Sequence, residues 1–197
     1  MHKRNFLAGS ALVGFLPVAA SVQAATPSAR GPALLTISGA AITKGNRGAL
    51  DPALDQMMVK HGVQFEKALA LDAATLHRMP AVQIKPTLEY DAKVHTLSGP
   101  LVSTVLEAAG VAPDAKVLLG MRAVDGYNVA ISLADVRRYR MVIATHMDGQ
   151  PLALGGLGPQ WAVYDADRLA DFKDKPLAQR FGLCPWGLYH IDVKPAQ

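Results

Sequence analysis

The side chains in this chain that could do chemistry are few and widely spread. Cys184 is the single cysteine, which excludes an intramolecular disulfide and any zinc or iron–sulfur centre built on several thiolates. The six histidines are scattered, without an HxxxH or HxH pair, so no metal site made of protein side chains alone is expected. His95 and His146 have no acid or nucleophile at a telling spacing and are read as solvated or hydrogen-bonded structural histidines, with no general base assigned. Ser98, Ser103 and Ser132 lack the GxSxG setting of a hydrolase nucleophile.

What remains is binding chemistry. Trp161, Trp186 and Tyr127 each carry a ring face on which a flat ligand can stack, or else they belong to the core. Asp125 stands in a DGY corner, where its carboxylate can accept two parallel hydrogen bonds from neighbouring N–H donors. Asp before Gly is equally a turn-forming pair. Arg122, three residues earlier, has three readings: a partner for Asp125, a partner for a ligand carbonyl, or one half of a surface salt bridge. Cys184 sits two residues before Trp186, either beside a pocket or as a buried small hydrophobe.

The elements that must position these groups follow from periodicity and punctuation. "ALLTISG" (33–39) is an apolar, β-branched run closed by glycine, a first strand. A loop with a short helix follows, with Leu54, Met57 and Met58 at helical spacing. Asp72 is placed to cap a helical turn that carries Leu76 and Met79 and stops at Pro80. Residues 82–97 read as extended chain, Pro86 marking an edge or bulge. "SGPLVSTVLEAAGV" (98–111) predicts the best helix, with Leu101, Val102, Val105, Leu106 and Ala109 on one face, Pro100 at its start and Gly110 at its stop. Strands over 115–124 and 128–133 meet at the DGY corner as a hairpin, and Ser132 caps a helix through Tyr139 with Asp135 in its first turn. A buried strand over 141–147, a tight turn at Asp148-Gly149, and strands at 159–165 and 187–193 complete an α+β pattern without regular βαβ alternation or internal repeats.

The amino terminus reads as an export signal. Lys3 and Arg4 precede an apolar stretch (6–20) too short to span a bilayer, and "VQA" ending at Ala24 has the small-x-small form of a cleavage site. The expected product is periplasmic or secreted, by a twin-arginine-like or a Sec route. A signal peptide over 1–24, a disordered leader over 25–32 and one domain over 33–197 are the expected divisions. Removing the first 24 of 197 residues takes Lys3 and Arg4 with it and lowers the net charge from +4 to +2, which does not favour nucleic acid as a partner.

The ordered series "SGPLVSTVLEAAGV", "DGYNVAISLADV", "MVIATHMDGQPL", "LGPQWAVYD" and "WGLYHIDV" resembles the sulfite-oxidase-fold molybdopterin-binding domain, over roughly Leu34 to Val193 and most densely between Gly99 and Tyr164. The resemblance lies in the order of its parts: a GxPL-type helix start, the DGY corner, a DGxPL turn, a GP strand opening, and a last strand with Trp186 near its start. It implies mixed sheets with short helices.

In the catalytic members of that family a cysteine just before the GxPL helix donates a thiolate to molybdenum. Here Thr87 to Tyr90 occupy the approximate position, and only Glu89 offers an anionic atom, a harder oxygen donor. Those relatives also carry an arginine shortly after the GP of the strand, for the cofactor's phosphate, where this chain has Gln160 and Trp161. The chain is more similar to a cysteine-free branch of the fold, periplasmic pterin-binding receptors that report to inner-membrane cyclic-di-GMP enzymes. That resemblance implies a pterin as ligand, a membrane signalling partner and no catalytic residue. Its site residues would be Trp186, Trp161 and Tyr127 for stacking, Asp125 and Arg122 for the ring edge, and Glu89 and Tyr90 along the mouth. Glu89 and Tyr90 are equally readable as water-facing edge residues. The alternative is a molybdopterin-dependent oxidoreductase whose metal is held by the cofactor's own sulfurs, with Glu89 beside it. A third reading is a ligand-free adaptor that keeps the fold only as an interaction surface.

Overall fold

The structure, a computed structural model, describes residues 31–196. The expected signal peptide and all but the end of the expected leader lie outside the described residues.

Strand β1 (Ala33–Ser38) is buried from Leu35 onward on both faces, as its unbroken apolar and β-branched run requires. It lies between β2 (Ala68–Asp72), antiparallel, and the last strand, β11 (Leu188–Pro195), parallel. Beyond β11 come β5 (Val117–Ala123) and β6 (Asn128–Ser132), the expected hairpin, in the sheet order β2-β1-β11-β5-β6. In β5 burial alternates: Val117, Leu119, Met121 and Ala123 face the core, while Leu118, Gly120 and Arg122 face outward. A second sheet, β3 (Ala81–Ile84), β4 (Leu97–Pro100), β8 (His146–Met147) and β9 (Gln150–Pro151), is antiparallel throughout. A two-stranded piece pairs β7 (Val142–Ala144) with β10 (Trp161–Val163).

Helices are short: α1 (Gln56–Lys60), α2 (Ala73–Arg78), α3 (Val102–Ala108) and α4 (Leu133–Arg138). Two of the expected caps form. The Asp72 carboxylate accepts from Thr75 N–H at 2.8 Å and the Ser132 hydroxyl from Asp135 N–H at 3.0 Å. α3 ends as its glycine predicts. Gly110 takes φ +77°, its N–H reaches Glu107 O at 2.9 Å, and Val111 N–H reaches Leu106 O at 3.1 Å, the paired bonds of a Schellman stop. The Asp148-Gly149 turn between β8 and β9 has both residues at positive φ, 50° and 79°, as a type I′ hairpin needs. Packed between the sheets, Leu97, Val102, Leu106, Met121, Ile143, Trp161, Val163 and Ile191 form part of one core.

Three expectations are corrected. Residues 97–100 are strand, and α3 begins only at Val102. Gly99 lies so close to the Ile143 carbonyl that a Cβ could not fit, which brings β4 against β7 before the helix can start. The strand expected over 141–147 divides at Thr145 into β7 and β8, which join different sheets. Of Leu54, Met57 and Met58 only Met58 turns inward, whereas Leu54 is 81% exposed and Met57 42%. The chain is thus an α+β protein of mixed sheets and short helices.

Candidate functional site

The DGY corner closes the β5–β6 hairpin. Gly126 sits at φ +92°, Ala123 N–H donates to Tyr127 O at 2.8 Å, and Tyr127 N–H donates to Asp125 Oδ1 at 2.9 Å. One Asp125 carboxylate oxygen thus shapes the turn, and the side chain also lines a cavity of about 290 Å3 beside it.

Two irregular segments build the other walls. Residues 85–96 leave β3 as a strap because carboxylates from a distant loop capture its amides. Thr87 N–H donates to Asp167 Oδ2 at 2.7 Å, and Lys85 N–H to Asp165 Oδ2 at 3.4 Å. Arg180 Nη1 donates to the other oxygen of Asp167 at 2.7 Å, so one carboxylate ties the strap to the loop that leads toward β11. That loop contributes Phe181, Gly182, Cys184 and Trp186, and the strap contributes Glu89 and Tyr90. Across the mouth, the Tyr127 hydroxyl donates to Gly182 O at 2.7 Å.

The cavity gathers Glu89, Tyr90, Asp125, Tyr127 and Trp186 from three separate stretches of chain. Trp161 is 0% exposed and stands behind it, its Nε1 donating to Cys184 O at 2.8 Å and its ring 6.3 Å from that of Tyr90. It belongs to the core and supports the wall from within. Arg122 is absent from this cavity. The alternation of β5 places it on the opposite face from Ala123, which does line the cavity, so Arg122 opens onto a different hollow. Phe181, Gly182, Ala123 and Ala178 line the cavity without having been expected, and Cys184 resolves as both of its readings, buried and in the wall. The alternation of β5 was a signal for Ala123, whereas nothing local marks Phe181 or Ala178.

The cavity is electrostatically neutral to acidic. Two carboxylates, Glu89 and Asp125, line the cavity, and no lysine or arginine does. The Tyr90 phenol is pushed up to about 12, first by partial burial of its ring and then by the neighbouring Glu89 charge, while the Trp186 indole opposes the shift. Although 55% of Tyr90 is exposed, a phenol so placed stays protonated and can donate. Burial pushes the Cys184 thiol up to about 12, and the Glu89 charge adds to this, so the sulfur is neutral and neither a nucleophile nor a thiolate donor at ordinary pH. Gln160 is fully buried and donates its amide to Leu34 O at 2.7 Å and Leu188 O at 2.5 Å, joining β1 to β11.

His95 and His146 stand away from this cavity and are hydrogen-bonded, His146 through Nδ1 to the Thr145 hydroxyl at 2.8 Å. His95 is held between Asp148, Nδ1 to Oδ2 at 2.6 Å, and Asp91, Nε2 to Oδ2 at 3.0 Å, which fastens the far end of the strap to the β8–β9 turn. His146 lies 4.9 Å, ring to ring, from His77.

Comparison with solved structures finds this architecture in the sulfane dehydrogenase SoxCD from Paracoccus pantotrophus, with a TM-score of 0.51 at 14% identity over 82% of this chain. The likeness carries the fold, which is the sulfite-oxidase fold expected from the sequence. This chain spans 38% of the length of that neighbour. No protein-family model and no curated protein sequence matches it.

Proposed function

We propose that the protein is a non-catalytic binder of a pterin-like heterocycle, exported to the periplasm and serving as the ligand-sensing accessory of an inner-membrane signalling protein that handles cyclic-di-GMP. The observation that supports this most is the convergence of Trp186, Tyr90, Tyr127, Phe181, Asp125 and Glu89 on one cavity. A pterin has two faces to stack and an edge where an amino group and a ring N–H donate side by side. A carboxylate is the natural acceptor for that edge, and an aromatic contact adds about 0.5–1.5 kcal/mol beyond buried area. The cavity's 290 Å3 lies near the lower bound of small-molecule sites, about 300 Å3, which suits a bicyclic ring.

The likeness to a sulfane dehydrogenase favours a second reading, a molybdopterin-dependent oxidoreductase subunit. The residues present fit that cofactor poorly. Its phosphate would face Glu89 and Asp125 with no lining cation, and the one sulfur in the wall is a neutral, buried thiol.

The test is titration of the purified chain with a tetrahydropterin, followed by quenching of indole fluorescence, beside mass spectrometry and metal assay of whatever co-purifies from the native host. The proposal expects saturable binding, weakened at least about tenfold by Trp186→Ala and by Asp125→Asn. Stoichiometric molybdenum would establish the second reading. Absence of any small-molecule response would leave the fold as an adaptor surface.

A further inference from the structure

On the outer face of the five-stranded sheet, away from the candidate site, lies a second cavity of about 440 Å3. Its floor is set by strand register. His190 pairs with Arg122, Arg122 with Asn128, and Asp192 with Gly120, so these side chains stand together on one face of β11, β5 and β6. The rim is the 62–64 loop and Gly39. A neighbouring hollow shares Gly39, Ala40 and Gln64 with it and adds Ile42, Phe65, Glu66 and Lys67, so the polar floor continues into a lobe whose apolar side is Ile42 and Phe65 and which also carries one charge of each sign. The Phe65 ring stacks on His190, 6.5 Å between centroids at 24°.

The charges of the floor decide what it can hold. Lys194 Nζ is paired with Asp192 Oδ2 at 2.8 Å, and His190, 2% exposed with its Nε2 2.8 Å from the Ser38 hydroxyl, is neutral. Arg122 has no carboxylate partner among the described residues. The floor therefore presents one uncompensated guanidinium, beside the Asn128 amide and next to a neutral imidazole. A guanidinium fork binds a carboxylate or a phosphate in two-point fashion, but the Asp192 carboxylate nearby works against a doubly charged group.

We propose that this cavity is a second ligand site, taking a monocarboxylate with a short apolar or aromatic body. The carboxylate sits on Arg122 and Asn128, and the body lies toward Phe65 and Ile42. Gly120 leaves the floor open: a Cβ there would meet Asn128 Oδ1 and Asp192 Cβ at 3.6 Å, in ordinary contact, so a larger side chain would fill the cavity without breaking the strand.

The experiment is titration of the full chain with phenylacetate, inorganic phosphate and phenethylamine, monitored by amide and Arg side-chain NMR shifts and by calorimetry. Phenylacetate is expected to bind saturably below about 10 mM, with shifts centred on Arg122 and Asn128, and phosphate and the amine at least about tenfold more weakly. Arg122→Gln should weaken phenylacetate at least about tenfold, Arg122→Lys less, and Gly120→Val should abolish binding while keeping the wild-type fold by NMR. Trp186→Ala should leave the phenylacetate titration unchanged, which separates this site from the pterin proposal. Phosphate binding as tightly as phenylacetate, a wild-type titration in both Arg122→Gln and Gly120→Val, or no saturation below about 10 mM would each overturn the assignment.

Discussion

The Tyr127 hydroxyl donates to the Gly182 carbonyl at 2.7 Å, and this bond spans the cavity between the DGY corner and the loop that carries Phe181 and Trp186. It joins residues 55 positions apart whose only common property is that they flank the same hollow. Tyr127→Phe keeps the ring and removes the tie. Because both groups are exposed, melting temperature should change little, while tetrahydropterin affinity should fall about three- to tenfold, the worth of one hydrogen bond. Equal affinities for the two proteins would show that the loop is held without it.

Asp167 accepts from Thr87 N–H and from Arg180, and so anchors both irregular walls at once. Asp167→Ala removes a charged acceptor and leaves a half-buried amide and a guanidinium without it. The expected loss is about 1.5–3 kcal/mol in chemical denaturation. Ligand affinity should fall further than in Tyr127→Phe, since Glu89 and Tyr90 lose their register along with the opposite wall. Asp167→Asn, which keeps an acceptor for Thr87, should recover part of both.

His95 is raised above its usual value by its hydrogen bonds to Asp148 and then Asp91. A raised folded-state pKa means that its contribution is fully present below the unfolded value, near 6.5, and is lost as pH climbs through the folded value above it. The melting-temperature difference between wild type and His95→Gln should therefore be larger at about pH 6 than at about pH 8.5. Proteolysis within 85–96 should quicken over the same interval in the wild type only. A difference that grows with pH would reverse the sign and refute the clamp.

His190 behaves the opposite way. Burial first, then the Arg122 and Lys194 charges, lower it to about 4 against the opposing effect of Asp192. The unfolded chain binds its proton near 6.5 and the folded chain only near 4, so stability falls as pH drops between these values. The full effect is about 3 kcal/mol, the distance from 6.5 to about 4 at about 1.36 kcal/mol per tenfold change in proton affinity. Replacing His190 with Gln should remove that part of the acid sensitivity, as urea titrations at about pH 6.5 and pH 4.5 would report.

Features that depend on contacts within about four residues were legible in the sequence. Ser132 and Asp72 cap their helices, Gly110 stops α3, and Asp148-Gly149 and Asp125-Gly126 turn the chain. In each case the partner lies on the same stretch of chain, so residue type alone selects the geometry. Glu89, Tyr90, Asp125, Tyr127 and Trp186 were also named as site residues, and the fold brings them together, although their ligand is still a proposal.

Other features needed the folded chain. A Gly-Pro start reads as a helix signal, yet Gly99 is demanded by the Ile143 backbone, 44 positions away, and the chain there is strand. Residues 85–96 look extended until Asp165 and Asp167 claim their amides. Arg122 was readable as a partner of Asp125, of a ligand carbonyl or of a surface carboxylate, but a strand sends alternate side chains to opposite faces, and only the packed sheet shows which face holds which cavity. By itself the sequence determined the α+β class, the helix caps and the turns, because these are short-range matters of sterics and capping. The tertiary structure alone decided that Trp161 is core, that Phe181 and Ala178 are walls, and that the unpaired cation lies behind the sheet, because burial and charge pairing depend on neighbours far away along the chain.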